Sequence, residues 1–561
     1  MNPVRVLRNI QTDRLPARLV LYGGIGLPLC CALTWLLLFA IGVHPGQGRY
    51  TPTLAFIAQL IEQPALWRSL GLSLLTALIA TLLAVALAFW VASQAGPARL
   101  ARELRPWMAF LLSTPYLAFV VGWQFVIAPS GLLARLVAQF TGQELPPAVA
   151  TAPDIWFIGY VLMLAVKESG FLLMLLLAQL PSLAVERYYR SGLALGYSTQ
   201  AVWRKILLPL LYPRLRLGIW VLLAYSATNV EVALFAAPNL PELFSLRIVQ
   251  WYAEPDLDFQ LVAAAGVLLL VLALACLLAI WTLVERALAR RLRPWLTNNH
   301  RGGSRGEGLF TPARRAMLAL YLLPLLLLAI WSVSLNWPFP ELAPGGFSLR
   351  WWTSFRIGHE MLHSLGLGLM VGLVSLLLAL VYVESTRGRT PVGHLWLLYL
   401  PLVAPQLALA GGLAIGANFL QFNGSLAAVA LGHLLIMLPY MALVLAPAWA
   451  GYDERYSQVA ASLGYGFWRC WWKVKLPLCI RPTLFALALG ISVSVNLYIP
   501  TMLLGEGRVT TLMTEMVGLG VSYDRRQLGV FSLWLLLIPL AAFAFASFYP
   551  TWRYGRVETL Y

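Results

Sequence analysis

Residues 359 to 363 carry the side-chain types of a zinc site, because they read His-Glu-Met-Leu-His. On a helix this spacing places His359 and His363 one turn apart on one face, where they could bind zinc while Glu360 acts as a base. A protease of this kind inside a membrane needs a third ligand, commonly an Asp from another span. None of the apolar segments described below contains Asp. An intramembrane zinc protease therefore stays a remote alternative, and we assign no metal ligand and no catalytic residue.

Three charged residues, Lys167, Glu168 and Glu231, lie inside long apolar segments. A charge at the centre of a membrane helix costs about 2.5 to 3.5 kcal/mol on insertion scales, so each one needs a partner or a function. Lys167 and Glu168 point about 100° apart on a helix and are poor partners for each other. Two structural explanations stay open: Lys167 pairs with Glu231 between helices, or Glu231 lies at the outer interface.

The lysines of the sequence cannot form a phosphate-binding P-loop. A P-loop needs Lys followed by Ser or Thr after a glycine-rich turn. The lysines are Lys167, Lys205, Lys473 and Lys475, and the residues that follow them are Glu, Ile, Val and Leu. If ATP drives this protein, we expect a separate subunit to hydrolyse it.

The composition requires a membrane fold to position these residues. Of 561 residues, 60% are apolar and 11% are charged, with a mean hydropathy of +0.75, whereas soluble domains carry about 25% charged residues. The net charge of +17 would suit nucleic acid, but most of the 40 Lys and Arg residues lie in loops on one side of the apolar segments. Such an excess marks the cytoplasmic side. We predict a multi-pass membrane protein, with both termini cytoplasmic and lipid rather than nucleic acid around it.

Twelve apolar segments are long enough to cross the membrane, since a spanning helix needs about 20 residues. They predict an all-α integral membrane fold. The first six lie at 19–43, 69–93, 107–128, 155–180, 217–237 and 261–284, and the second six at 316–335, 364–384, 395–416, 425–447, 483–504 and 528–548. Because no charge occurs between Arg389 and Asp453, the ninth and tenth segments are separated at the turn-rich residues 418–424.

The twelve segments divide into two related halves. We predict a first six-helix half at 1–296, a polar basic linker at 297–315 and a second six-helix half at 316–561. Because six spans return the chain to its starting side, the halves are parallel repeats. The sequence Ser-Leu-Gly-Leu occurs at 69–72 in the second segment and again at 364–367 in the eighth, which supports the repeat.

The loop after the fourth span has the same construction in both halves. Leu-Gly-Tyr, at 195–197 and 463–465, separates a short helical segment from a second one that contains Trp, basic residues and then Leu-Pro. Gly196 and Gly464 allow the positive φ of a tight turn, and Pro209 and Pro477 suit the start of the next helix. An amphipathic helix with an aromatic anchor often enters a partner's groove; a helix lying on anionic lipid is the alternative. Two copies at equivalent positions favour a symmetric or pseudo-symmetric partner.

These two loops, at 186–215 and 454–483, resemble the EAA loop of binding-protein-dependent ABC importer permeases. That loop has Gly, nine residues, an aliphatic residue, one further residue and Leu-Pro. The matching residues are Gly196, Ile206, Leu208 and Pro209 in the first loop, and Gly464, Val474, Leu476 and Pro477 in the second. The opening Glu-Ala-Ala is degraded, to Arg-Ser-Gly at 190–192 and Gln-Val-Ala at 458–460. Over nearly its whole length the chain is similar to the fused permeases of ferric-iron and thiamine importers and to the YnjC-like branch.

The resemblance implies an ATP-driven importer of the bacterial inner membrane, without a cofactor of its own. Each EAA-like loop would form a coupling helix on one of two copies of an ABC ATPase subunit, and a separate periplasmic or lipid-anchored protein would bind and deliver the solute. The expected coupling residues are Gly196, Trp203, Ile206, Leu208, Pro209, Ala460, Gly464, Trp471, Val474, Leu476 and Pro477. In this family the helices after the EAA loops line the central pathway. The expected pathway residues are therefore Asn229, Glu231, Asn496 and Tyr498 on these helices, together with the charged Lys167 and Glu168 on the fourth span.

A secondary carrier driven by an ion gradient is the main alternative, since it too can consist of two parallel six-span halves. Carriers of the major facilitator type have an acidic, glycine-rich loop between the second and third spans, which the sequence SQAGPARLARELRP at 93–106 does not match. The paired loops would also have no explanation in such a carrier. Neither interpretation identifies the solute.

Overall fold

The architecture is given by a computed structural model that describes residues 15–147, 153–181, 184–298, 301, 310–353, 355–520 and 524–554. The predicted cytoplasmic termini and most of the predicted linker, at 1–14, 299–300, 302–309 and 555–561, lie outside these ranges. Helices account for most of the described residues. Within them, β-pairing is limited to two isolated bridges, His44 with Arg49 and Ser334 with Phe347. The predicted all-α fold is confirmed.

Among the described residues, ten helices are long and apolar enough to cross a membrane, and two bent pairs bring the number to twelve if each pair is one span. Each overlaps one predicted segment, and we number them in chain order. The continuous ones are span 1 (Leu15–Ala40), span 2 (Leu66–Ala92), span 3 (Tyr116–Thr141), span 4 (Ile158–Gln179), span 5 (Thr199–Thr228), span 6 (Leu257–Thr297), span 7 (Phe310–Val333), span 8 (Ile357–Thr386), span 10 (Leu426–Ala450) and span 12 (Arg525–Arg553). The bent ones are span 9 (Gly393–Val403 and Gln406–Phe419, 93° apart) and span 11 (Phe467–Leu478 and Ile480–Val495, 77° apart).

Shorter helices connect the spans. They are Ala55–Ile61, Pro97–Leu104, Met108–Ser113, Val185–Ala194, Glu231–Ala236, Phe244–Ala253, Arg455–Ser462, Ile499–Gly505 and Leu512–Gly520. The loops at 186–215 and 454–483 are six spans apart, so both lie on the same membrane face, which we call the loop face. The segment between spans 7 and 8 lies on the opposite face.

Proline interrupts two of the predicted spans. The third was expected to begin at residue 107, but the helix Met108–Ser113 ends before Pro115 and span 3 begins at Tyr116. In the second half, Pro405 occupies the bend between the two parts of span 9. Because proline has no N–H to donate and its ring collides with the preceding turn, the helix breaks at both places. The sequence repeat is thus also a repeat of helix breaks.

A π-helical turn follows the short second segment of each loop. It covers Trp203–Leu207 in the first half and Trp471–Lys475 in the second, and each precedes a Leu-Pro pair. The N–H of Leu208 donates to the carbonyl of Trp203, five residues back, and that of Leu476 donates likewise to Trp471. A wide turn of this kind accommodates a proline that cannot continue the α-helical ladder. In the first half this makes the loop segment continuous with span 5.

The first span of each half packs on the other half. Buried residues of span 1, including Leu21, Ile25 and Leu29, belong to one hydrophobic cluster with spans 8, 9 and 10. Conversely, span 7 packs against spans 3 and 12, and the Tyr321 hydroxyl on span 7 donates to the carbonyl of Lys167 on span 4, 2.6 Å away. The two halves are therefore interlocked through their exchanged first spans.

A glycine lets each exchanged span pack closely against a span of the other half. A Cβ at Gly122 on span 3 would lie 2.5 Å from the carbonyl oxygen of Pro324 on span 7. At the corresponding place in the other half, a Cβ at Gly412 on span 9 would overlap the carbonyl oxygen of Ala32 on span 1. Small residues let membrane helices approach backbone to backbone, where packing replaces the missing hydrophobic effect. Two equivalent glycines thus position the exchanged spans.

Candidate functional site

Both loops turn at their central glycine in the same way. Gly196 has φ +82° and Gly464 has φ +84°, in the left-handed region where a Cβ is strained. The Tyr197 N–H donates to the Gly192 carbonyl at 3.1 Å, and the Tyr465 N–H donates to the Ala460 carbonyl at 3.0 Å. Each loop is therefore a helix, a glycine turn and a second helix, as the sequence predicts.

The position four residues before each turn glycine needs a small residue. Gly192 is buried, and a Cβ there would lie 2.7 Å from a methyl group of Val202 on the second segment. Ala460 occupies the equivalent position in the second loop and is 5% exposed. These residues stand in the degraded Glu-Ala-Ala stretch, and they let the two helices of each loop pack against each other. Ala460 thus lies inside its loop rather than on its surface.

The structure places Trp203 inside the protein, at 1% exposure. Its indole N–H donates to the carbonyl of Ala95, just beyond the end of span 2, at 2.8 Å. The interpretation of Trp203 as a contact for a partner does not match this position. Trp471 has the equivalent orientation, because its indole N–H donates to the carboxylate of Glu384 at the end of span 8, at 3.3 Å. Both tryptophans attach their loop to the loop-face end of a neighbouring span.

Glu384 is the centre of a hydrogen-bonded cluster that holds the second loop. Its carboxylate accepts from the ammonium of Lys475 at 2.8 Å and from the indole of Trp449 at 2.8 Å, in addition to Trp471. The side chains of Lys475 and Glu384 are 5% and 17% exposed, and the carboxylate of Glu454 lies 3.5 Å from Lys475. This cluster connects span 8, the end of span 10 and the start of span 11.

Tyr452 completes the surroundings of Lys475. The ammonium lies 4.9 Å from the centre of its ring, within the range of a cation–π contact. Burial raises the pKa of the Tyr452 hydroxyl to about 12, so it stays protonated at neutral pH, and it lies 2.8 Å from the Ser457 hydroxyl. In the first loop the position of Lys475 is taken by Leu207, which is fully buried. The two loops are thus fixed by different chemistry in the same geometry.

The loops expose apolar side chains beside the glycine turns. Leu193 and Leu195 in the first loop are 40% and 62% exposed, and Val459 and Leu463 in the second are 59% and 74% exposed. Two further side chains of the second loop, Trp468 and Trp472, are also largely exposed. The remaining predicted coupling residues are partly exposed or exposed: Ile206, Leu208, Val474, Leu476, Pro477 and Pro209. The leucines that directly precede the turn glycines, Leu195 and Leu463, are thus largely exposed, and the sequence analysis did not single them out.

Lys167 is buried, and it contacts groups other than Glu231. Its ammonium donates to the Thr114 carbonyl at 2.7 Å, at the break before Pro115. It also lies 5.2 Å from the ring centre of Tyr116 and 5.3 Å from that of Tyr321. The partners of Lys167 are thus a free carbonyl and two aromatic rings, not the carboxylate of Glu231. The break in the helix supplies the carbonyl.

Glu168, Asn229 and Glu231 are buried at the junction of spans 4 and 5. The Ser226 hydroxyl on span 5 donates to Glu168, whose second carboxylate oxygen has no partner among the described residues. Span 5 ends at Thr228, and the Asn229 side-chain oxygen accepts from the N–H of Val232, 2.7 Å away, at the start of the helix Glu231–Ala236. The predicted fifth span is therefore two helices, and its break carries two predicted pathway residues, Asn229 and Glu231.

The second half repeats this break at Asn496 and Tyr498. Span 11 ends at Val495, and the next helix begins at Ile499. The side-chain NH₂ of Asn496 donates to the Ser492 carbonyl at 2.7 Å, whereas its oxygen is buried without a partner among the described residues. Tyr498 is 9% exposed and packs in the same hydrophobic cluster as Val230 and Val232. The structure thus brings the breaks of both halves into one core.

Two anchoring residues have no signal in the sequence. Glu384 stands among ordinary polar residues at the end of a span. Arg135, on span 3, is 3% exposed and donates to carbonyls of Ser130, Trp337 and Pro338 at 2.7 to 3.0 Å, and also to that of Glu341. Apart from Ser130, its partners lie about 200 positions away in the chain, so only the fold identifies them.

The fold and the paired loops define a multi-pass helical membrane protein with two related halves. The chain is 33% identical over 506 residues to the inner membrane ABC transporter permease protein YnjC of Escherichia coli (strain K12), covering 88% of this chain and 90% of YnjC. It is 27% identical over 210 residues to proteins of Salmonella typhimurium and Salmonella choleraesuis named as a 2-aminoethylphosphonate transport system permease protein, PhnV, covering 36% of this chain and 78% of PhnV. No family model matches the chain. The chain belongs to the inner-membrane permeases of ABC transporters, and the resemblance drawn from its loops is confirmed at that level.

Proposed function

We propose that this chain supplies both permease halves of an ATP-driven importer and that its two loops each dock on one ATPase subunit. The observation that carries the proposal is the presence of two glycine-turn loops of one construction on one membrane face. Each has an exposed leucine directly before its turn glycine and an inward-facing tryptophan behind it. A pair of equal loops suits a pair of equal partners.

The exposed turns are the proposed docking surfaces. Leu195 and Leu463 directly precede the glycines and are 62% and 74% exposed. Apolar side chains of this kind gain about 25 cal/mol per Å² when a partner's groove removes them from water. We therefore transfer the contact role that the sequence analysis gave to Trp203 to the leucines at the turns.

The attachments of the loops suggest how their movement would reach the pathway. Trp203 binds the end of span 2, and the Glu384 cluster binds the ends of spans 8 and 10. Span 5 runs for 30 residues from the first loop, or about 45 Å at 1.5 Å per residue, and ends at the break beside Asn229. A displaced loop would thus move the helix end that carries the proposed pathway residues.

The pathway itself is proposed to pass the two breaks. Glu168, Asn229 and Asn496 each have a buried polar atom without a partner among the described residues. Such atoms are costly unless water, a solute or a second conformation satisfies them. Lys167, Glu231 and Tyr498 complete the proposed lining. The solute would be delivered by a separate solute-binding protein on the opposite face.

Purification of the tagged chain from its own membranes tests the docking proposal. We expect a P-loop ATPase at two copies per chain. Leu195→Glu and Leu463→Glu should each reduce the amount of ATPase retained, because each introduces a charge into an apolar contact. Leu145→Glu, at a 78% exposed position on the opposite face, should have no effect.

Uptake measurements separate the importer from a secondary carrier. Gly464→Asp should insert normally but uncouple ATP hydrolysis from solute uptake. A chain that purifies without an ATPase and takes up solute in vesicles only under a proton or sodium gradient would establish the carrier instead. Normal ATP-driven uptake by Gly464→Asp would contradict the role of the loop.

A further inference from the structure

Three side chains that can bind a metal lie together at the start of span 8, on the face opposite the loops. They are His359, Glu360 and His363, and one ligand atom from each lies within 4.8 Å of the other two. The two imidazole rings have centroids 4.1 Å apart. Across the described part of the chain, no other group of three His, Cys, Asp or Glu side chains has this arrangement.

We propose that His359, Glu360 and His363 form a binding site for a divalent transition metal, with Zn²⁺ as the best match. Two imidazole nitrogens and one carboxylate oxygen are a donor set that zinc takes in sites with an open coordination position. The proposal does not depend on the transport function.

The helix supplies the geometry of the site. His359 and His363 are four residues apart and Glu360 and His363 are three apart, so all three are neighbours on one helical face. Bonds of about 2.0 to 2.2 Å in a tetrahedral arrangement require ligand atoms about 3.4 Å apart. The Nδ1 of His359 and the Oε1 of Glu360 are already 3.4 Å apart. The histidines are both exposed, so rotation of their rings can close the remaining separations.

Glu360 is held as a metal ligand would be. It is 6% exposed, its Oε1 accepts from the hydroxyl of Thr510 at 3.1 Å, and its Oε2 is buried without a partner among the described residues. A buried carboxylate oxygen without a partner is unfavourable, and a bound cation would satisfy it. Hydrogen bonds from an outer residue to a ligating carboxylate commonly fix its orientation. This buried position also differs from that of a protease base, which must reach a water.

The site lies where two segments of the second half meet. Thr510 follows the helix Ile499–Gly505, and beside it the Leu512 N–H donates to the Ser364 hydroxyl on span 8 at 2.8 Å. A metal bound to Glu360 would strengthen the same junction through Thr510. We therefore expect bound metal to stabilise the folded protein, since a ligand that binds only the folded state raises its stability.

Zinc titration of the full chain, purified in detergent with a tag that contains no histidine, tests the site. We compare the wild type with the double variant His359→Ala/His363→Ala, using competition with a chromogenic chelator. The wild type should bind one more Zn²⁺ per chain than the double variant. His44→Ala, which removes a histidine from the same membrane face, should bind as the wild type does. Equal zinc binding by the wild type and the double variant would overturn the proposal.

Two further measurements distinguish a site from a loss of folding. Glu360→Gln keeps the shape of the side chain and should weaken zinc binding, and Thr510→Val should weaken it about 10-fold without changing the number of ions bound. Zn²⁺ should raise the thermal unfolding temperature of the wild type but not of the double variant, with both unfolding at the same temperature in a chelator. A wild type that zinc does not stabilise, or Glu360→Gln with unchanged affinity, would show that Glu360 is not a ligand.

Discussion

Replacing Glu384 with Gln should release the second loop from the membrane helices while leaving the first loop in place. The carboxylate accepts three N–H groups, from Lys475 and from the indoles of Trp449 and Trp471. An amide of the same shape can accept some of them, but its NH₂ group then faces donors. The ammonium of Lys475 then keeps one carboxylate, that of Glu454 at 3.5 Å, besides the ring of Tyr452.

The magnitude follows from the burial of this cluster. Removing one partner of a buried ion pair costs about 3 to 5 kcal/mol, and a hydrogen bond to a charged group contributes about 1.5 to 3 kcal/mol. Glu384 is 17% exposed and Glu454 remains nearby, so we expect the lower end, about 3 kcal/mol. At about 1.4 kcal/mol per tenfold, this is about a 100-fold change in the opening of the loop.

Hydrogen exchange measures this opening directly. In Glu384→Gln the amides of Gly464 and Tyr465, which donate to carbonyls in the preceding helix at 3.0 Å, should exchange about 100-fold faster, because local opening controls their protection. The equivalent amide of Tyr197 in the first loop serves as the internal reference. Glu186→Gln is the matched control, since it removes an exposed i,i+4 pair with Arg190 that is worth only about 0.3 to 0.5 kcal/mol.

A double variant checks the origin of the effect. Lys475→Leu places in the second loop the residue that the first loop has at position 207. Combined with Glu384→Gln, it should lose less than the sum of the single losses, by about 1 kcal/mol or more, because contacting residues are coupled. If exchange in the second loop changes by less than about threefold, or if both loops respond equally, the Glu384 cluster does not hold the loop.

Three other substitutions test the turn, the exchanged spans and the buried arginine. Gly464→Ala should destabilise the second loop by about 1 to 2 kcal/mol through the strain of its positive φ, and Gly464→Asn should destabilise it by less. Hydrogen exchange of the loop amides measures both losses. Equal losses in the two variants would show that the positive φ is not the cause. Gly412→Ala should lower thermal stability in detergent by about 1 to 3 kcal/mol, because its Cβ meets Ala32, whereas Gly366→Ala, with open space around it, should not. Arg135→Lys should cost about 2 kcal/mol in the same thermal assay, since an ammonium cannot reach carbonyls in several directions as the guanidinium does; an unchanged unfolding temperature would contradict this.

Local patterns in the sequence were sufficient for the span count and for the form of the loops. A membrane helix must satisfy its own backbone within the segment, so apolar length reveals it. The positive φ at Gly196 and Gly464 follows from turn chemistry that involves only a few neighbouring residues. The breaks at Pro115 and Pro405 were readable for the same reason, although the predicted span bounds passed over them.

The tertiary structure decided which residues meet. The exchange of spans 1 and 7 depends on backbone contacts at Gly122 and Gly412 between segments that no local pattern connects. The burial of Trp203 and the cluster around Glu384 likewise depend on which span ends beside each loop. An exposed and a buried tryptophan look the same in a short amphipathic segment, because burial is a property of the surrounding helices. The sequence by itself thus determined the apolar spans and the form of the two loops, and only the packing of distant segments decided how those loops are held.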